Sequence, residues 1–196
     1  MRAAPTLYFI RHGETDWNAA RRYQGQADIP LNDTGRAQAA RNGRALAQIV
    51  PSVGALHFVA SPLSRTCETM RIVRGELGLD PESFATDNRI IELHYGHWQG
   101  ELQSDLGTVD PDGVAARHAD PFHWRPRGGE NYTDLTRRLN GWLDDLAEAA
   151  VVVSHGGVSR ALRGMLVHGV GERDVPRLAV PQDRVLVIDN GRICWL

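Results

Sequence analysis

Lysine is missing from this 196-residue chain, so all 22 side chains counted as Lys or Arg are arginine. Arginine keeps its proton, and its planar fork matches phosphate bidentately, so the bias suits an anion site; an arginine-rich genome would leave the same mark. Cysteine is scarce: Cys67 and Cys194 form no CxxC pair and fit no metal spacing, which points to a reduced compartment. No run approaches the roughly 20 apolar residues of a membrane span. The apolar stretch near the N-terminus is broken by Arg11 and His12 before it could serve as a signal-peptide core. Strong net charge is lacking too: a formal −2 gives no basic field for nucleic acid and no acidic tail. The expectation is a soluble, cytoplasmic protein with no nucleic-acid or membrane partner. Internal repeats, low-complexity segments, a glycine-rich phosphate loop and a Ser-His-Asp arrangement are also missing.

What is present fits one domain over residues 1–196, with a core large enough to need no disulfide or metal. Thr6–Ile10 reads as a buried strand that stops at Arg11-His12-Gly13. Asn32-Asp33-Thr34-Gly35 offers capping chemistry for a helix from about Thr34 to Ile49. Ala55–Ala60 reads as a strand, Ser64–Leu77 as a helix, and Phe84–Asn88 as a weaker strand. Glu130–Ala150 reads as a helix, Val151–Val153 as a buried strand ending in Ser154-His155, and Val158–Val167 as a helix. Arg184–Asp189 and Ile193–Leu196 form a hairpin around Asp189-Asn190-Gly191. Strands alternating with helices predict a three-layer α/β/α fold with a mainly parallel sheet. Periodicity fails over 101–127, a stretch rich in Asp, Pro and His that reads as an insertion capping the site.

Three polar clusters follow buried runs: Arg11-His12, Ser61 to Arg65, and Ser154-His155. Parallel strands bring their C-terminal ends to one edge, so these clusters should converge. Two arginines and two histidines around one pocket match a phosphate dianion, with a histidine able to attack phosphorus. Glu92, in the run Glu92-Leu93-His94-Tyr95-Gly96-His97-Trp98, could protonate a leaving alkoxide. His94 and His97 are spaced like metal ligands, but Gly96 stands between them and no third ligand is evident, so no metal is expected.

Five segments then carry a resemblance. They are Arg11-His12-Gly13-Glu14-Thr15-x-Trp17-Asn18, Ile29-Pro30-Leu31-Asn32 with Gly35 and Gln38, Ser61-Pro62-Leu63-x-Arg65-Thr66, Glu92-x-x-x-Gly96-x-Trp98-x-Gly100 leading to Gly128-Gly129-Glu130, and Ser154-His155-Gly156-Gly157. In order and spacing the whole chain resembles the histidine phosphatase superfamily, also called phosphoglycerate-mutase-like. The resemblance implies that His12 is the nucleophile and becomes a phosphohistidine. It implies that Arg11, Arg65 and His155, with Asn18 and Gly156, hold the phosphoryl oxygens, and that Gln24 contacts phosphate or substrate. Glu92 would protonate the leaving oxygen and then take a proton from water. Members of that family need no metal and use no nucleotide, so no cofactor is expected, and the partner is a small phosphorylated metabolite.

Three activities compete. A phosphatase and a cofactor-dependent phosphoglycerate mutase would share this pocket, whereas a non-catalytic relative would bind a phospho-ligand without turnover. From Glu101 to Trp124 the one basic residue besides histidine is Arg117, among Asp105, Asp110, Asp112 and Asp120. A carboxylate-rich cap would repel a second anion, which favours hydrolysis and hence the phosphatase branch. The Glu92-x-His94-Tyr95 run looks mutase-like, whereas Trp98 looks phosphatase-like.

Overall fold

A computed structural model describes residues 4–196 of the chain. Its elements run β1 (Leu7–Arg11), α1 (Asp16–Ala19), α2 (Asp33–Ile49), β2 (His57–Ala60), α3 (Ser64–Glu76), β3 (Ala85–Thr86), α4 (Leu106–Val109), α5 (Pro111–Ala119), α6 (Tyr132–Asp145), β4 (Ala150–Ser154), α7 (Gly156–Leu166), β5 (Val185–Asp189) and β6 (Arg192–Trp195). The strands form one sheet in the order β3-β2-β4-β1-β5-β6. β1 to β4 pair in parallel, and β5 and β6 are antiparallel additions at one edge. The mainly parallel α/β sandwich is therefore as the alternation of elements predicts.

Side chains alternate across a strand, which divides the core in two. Leu7, Phe9 and Val152 pack beneath α6 and α7 with Leu135, Leu139, Trp142 and Leu162. Ile10, Val151 and Val153 turn to the other face, against Leu46 of α2 and Met70 and Val73 of α3. β4 lies inside the sheet and is covered on both faces, so its sequence is a continuous apolar run.

Several boundaries differ from expectation for identifiable reasons. Asn32 caps α2, its Oδ1 accepting the Gly35 N–H at 2.9 Å. The expected helix over 130–150 starts at Tyr132, behind an Asn131–Asp134 capping box, and ends at Asp145. Ala150 pairs instead with Leu7 and His57, so sheet formation overrides the helix preference of Leu146-Ala147-Glu148. The 101–127 stretch holds the short helices α4 and α5 rather than irregular chain. Asp110 accepts the Gly113 N–H at 3.0 Å and Pro111 occupies the first turn of α5, a start signal present in the sequence. Phe122 from the same stretch is buried and stacks on Tyr132 with ring centroids 5.5 Å apart. The hairpin turn has Asn190 and Gly191 at positive φ, 46° and 74°, as a type I′ turn requires. Among the described residues no helix is long and apolar enough to cross a membrane.

Candidate active site

The register of the sheet assembles the site. Arg11 lies opposite Ser154, and the His12 N–H donates to the Ser154 carbonyl at 2.9 Å, so Arg11-His12 and Ser154-His155 leave the sheet side by side. The Ser61 N–H donates to the Val153 carbonyl at 3.0 Å and brings the third cluster to the same edge. The His12 and His155 rings meet edge to face with centroids 5.1 Å apart. His12 Nδ1 sits 2.8 Å from the Gly13 carbonyl, which can only accept; the neutral ring therefore carries its proton on Nδ1 and leaves the Nε2 lone pair for attack. Gly13 and Gly35 interlock beneath this loop: a Cβ on Gly13 would overlap the Gly35 carbonyl, and one on Gly35 would overlap the Glu14 carbonyl.

Two guanidiniums are buried here. Arg65, on the first turn of α3, is fully covered and donates to the carbonyls of Ala27 at 2.7 Å and Gly25 at 2.8 Å. Arg11 donates through Nη1 to the Val180 carbonyl at 2.9 Å. The Nε of each is buried without a protein acceptor. Burial, aided for Arg11 by Arg160, lowers both to about 10, which leaves both charged at neutral pH. Buried cations with a spare N–H are stabilised by an anion that accepts from them. His12 is held well below the usual imidazole range by burial, then by Arg65 and Arg11. Burial and Arg65 do the same to His155, whose Nε2 lies 2.7 Å from Ser61 Oγ and whose Nδ1 faces Arg65 Nη2 at 3.4 Å. His155 is thus neutral beside these arginines, and a phosphate dianion would oppose that depression.

Glu92 rests on the first turn of α7. Both of its oxygens lie 3.1 Å from the Gly157 N–H, and Oε1 also accepts from Leu93 N–H at 2.9 Å. A Cβ at position 157 would overlap Oε1, so this seat requires glycine. Arg11, His12, Asn18, Gln24, Arg65, Glu92 and Gly156 all line one cavity of about 160 Å³. His155 is buried beside it. Gln24 is buried, and its Oε1 has no protein partner.

The same cavity is lined by Arg22, Tyr23, Tyr95, Gln103 and Arg160. Of these, Arg22, Tyr95, Gln103 and Arg160 are not among the candidate residues read from the sequence. Arg160 had a signal: it lies four residues beyond Gly156 on a helix, hence on the same face. Trp124 and Arg125 lie elsewhere: Trp124 packs tilted against Trp98 with ring centroids 4.3 Å apart, and Arg125 pairs with Asp134 at 2.6 Å. His94 Nδ1 accepts the Gly96 N–H, and His97 Nε2 bonds Asp110 at 2.8 Å.

The acidic cap expected to repel a second anion does not face the cavity. Asp110 is engaged by His97 and by Trp98 Nε1 at 2.8 Å, and Asp120 by His123. Arg117 turns inward, bonds the Tyr23 hydroxyl and lies over the Tyr23 and Trp98 rings at 5.4 and 5.5 Å. The charged lining is Arg11, Arg22, Arg65 and Arg160 against Glu92 alone.

Comparison with known proteins agrees with this geometry. The family model of the histidine phosphatase superfamily (branch 1) matches residues 7–193. A glucosyl-3-phosphoglycerate phosphatase of Mycolicibacterium vanbaalenii is 33% identical over 173 residues, covering 82% of this chain and 73% of that protein. A probable phosphoglycerate mutase of Yersinia pestis is 36% identical over 155 residues, covering 76% and 69%. Among solved structures, a mycobacterial glucosyl-3-phosphoglycerate phosphatase in complex with VO3 superposes with a TM-score of 0.79 at 29% identity, covering 98% of this chain and 96% of that one. The alpha-ribazole phosphatase of Shigella flexneri also gives 0.79, at 27% identity over 94% and 90%. Motif order, sheet register and these likenesses coincide: the chain belongs to branch 1 of the histidine phosphatase superfamily.

Proposed function

We propose that this protein is a metal-independent phosphatase that hydrolyses a small phosphomonoester through a phosphohistidine on His12. The observation that carries the reading is the neutral His12 ring, its Nδ1 tied to the Gly13 carbonyl, beside two buried guanidiniums that each keep an unpartnered Nε. In the first step Nε2 of His12 forms the N–P bond as the P–O bond to the leaving group breaks, and Glu92 supplies that oxygen's proton. In the second, Glu92 takes a proton from water, the water oxygen bonds phosphorus, and the N–P bond breaks. Arg11, Arg65 and His155 hold the equatorial oxygens, with Asn18, Gln24 and Gly156 around them, so catalysis is mainly positioning and electrostatic stabilisation.

A cavity of about 160 Å³ is small against the roughly 300–1,000 Å³ of ordinary ligand sites. It suits a phosphoryl group and a few atoms, with the rest of the substrate against Tyr23 and the 101–127 insertion, which we read as covering the entrance. A small phosphorylated metabolite in the cytoplasm fits this size, and Cys67 and Cys194 are both free thiols.

Turnover of p-nitrophenyl phosphate, abolished in His12→Ala, tests the reading. Activity surviving that change would remove His12 as the nucleophile, and a wild-type protein that binds phosphate without turnover would be the non-catalytic relative. The excess of arginine in the lining favours one second reading, a phosphoglycerate mutase. Incubation with 3-phosphoglycerate and a trace of 2,3-bisphosphoglycerate separates the two: a phosphatase releases phosphate without forming 2-phosphoglycerate.

A further inference from the structure

We infer that Gln182 is a positioning residue of this site, setting the orientation of Asn18 so that its amide N–H groups point at the phosphoryl oxygens. The inference rests on the phosphatase reading and deepens it. Gln182 Nε2 lies 2.9 Å from the His12 carbonyl and 3.2 Å from Asn18 Oδ1, so its two N–H groups are divided between the nucleophile's backbone and Asn18. Asn18 Oδ1 also faces the Thr15 N–H and the Thr15 hydroxyl, each at 3.2 Å. Donors surround this carbonyl end, which turns the opposite end, the NH2, toward the cavity that Asn18 lines.

Thr15 holds that orientation through its backbone N–H, a fixed donor, whereas its side chain can turn. Its hydroxyl can rotate and accept, and it already accepts from the Asn18 backbone N–H. A flipped Asn18 could keep the Thr15 hydroxyl as a partner, but it would set its NH2 against two donors, the Thr15 N–H and the NH2 of Gln182. Gln182 is the side chain among the two fixed donors that oppose the flip, and a flipped Asn18 would present a carbonyl to the phosphate dianion.

Gln182 can impose this because its own backbone is fixed. It belongs to a brace, residues 178–183, in which side chains donate to five of the six carbonyls. Arg160 Nε donates to Leu178, Arg163 Nη1 to Ala179 and Arg11 Nη1 to Val180, at 2.8, 2.8 and 2.9 Å. Asn42, fully buried in α2, donates to the Gln182 carbonyl at 2.9 Å, and Arg41 donates to that of Asp183. The brace is thus built on α2, β1 and α7, the elements that carry or adjoin the nucleophile loop and the second histidine.

A double-mutant cycle tests the inference, with kcat/KM for p-nitrophenyl phosphate and the dissociation constant of orthovanadate as its two readouts. Gln182→Met keeps length without donors, and Gln182→Leu is a second variant of different shape. In an Asn18 background either change should lower kcat/KM and weaken orthovanadate about five- to tenfold. In an Asn18→Ala background the same change should cost less than about twofold in both. Equal losses in the two backgrounds, or wild-type values in both Gln182 variants, would overturn the inference, as would unfolding of both variants. An Asn18→Ala protein with unaltered orthovanadate affinity would overturn it while leaving the phosphatase reading standing. A wild type without turnover would remove the phosphatase reading, and the orthovanadate arm would still decide the role of Gln182.

Discussion

His12 and His155 lie beside Arg65, and their imidazoles are held uncharged well below the usual range, by burial first and by Arg65 next. A nucleophile in that state does not switch off near pH 6.5, where an ordinary imidazole takes up its proton. The acid limb of kcat/KM is therefore expected below pH 6.5, and a limb centred on 6.5 in a pH–rate profile would contradict the assignment of His12. Stability carries the opposite side of the same shift. Unfolding returns both rings to ordinary titration, so the unfolded chain binds more protons than the native one between the depressed native values and about 6.5. The stability contributed by these rings is complete above about 6.5 and is lost as pH falls toward the native values. Urea midpoints should be lower at pH 5.5 than at pH 7.5. Orthovanadate or phosphate should recover part of the difference, because a bound dianion favours the protonated form of His155.

At the scale of elements, the seat of Glu92 on α7 makes Gly157 a positioning residue in the proposed mechanism. Gly157→Ala would set a methyl group against Oε1 and displace the carboxylate that we propose protonates the leaving oxygen. We expect kcat/KM, which reports the first phosphoryl transfer, to fall roughly 10²-fold on an alkyl phosphate, within the usual range for general acid catalysis. The fall should be much smaller on p-nitrophenyl phosphate, whose phenolate leaves readily unaided; equal losses on both would count against Glu92 as the acid. This element was legible from its sequence, as were β1, β2 and β4 with the polar residues that end them, because a buried parallel strand leaves a continuous apolar run and then stops. The rest was less legible where long-range packing decides. Tyr95 and Gln103 reach the cavity through loops, and α4 and α5 carry few apolar side chains to mark a helical period. The C-terminal end of α6 was overrun because the pairing of Ala150 with two strands lies outside any local window. The supposed acidic screen failed for a related reason: composition counts carboxylates, but Asp110 and Asp120 are spent on neighbours and Arg117 is what turns inward.

For the whole molecule, the 101–127 stretch is tied to the loops around the cavity by Trp124 on Trp98, Asp110 on His97 and Trp98, the pairing of Leu102 with Arg22, and Arg117 on Tyr23 and Trp98. Arg117→Ala removes a stacked cation of the kind worth about 0.5–2 kcal/mol and frees the Tyr23 hydroxyl. KM for the physiological ester should rise a few-fold while kcat on p-nitrophenyl phosphate changes less than about twofold; an unchanged KM would show that the insertion does not help hold the leaving group.

The brace at 178–183 also bears on how freely this chain can change. Arg160, Arg163, Arg11, Asn42 and Arg41 grip carbonyl oxygens, which every amino acid provides. Leu178, Ala179 and Asp183 are at least partly open to solvent, so their side chains are spectators of the grip. A saturation library selected for phosphatase activity should therefore tolerate broad replacement at 178, 179 and 183 and narrow sharply at 182, with the five gripping side chains equally restricted. A stretch held in this way could change its letters and keep its path, and it would look expendable in a sequence comparison although Gln182 within it grips the His12 carbonyl.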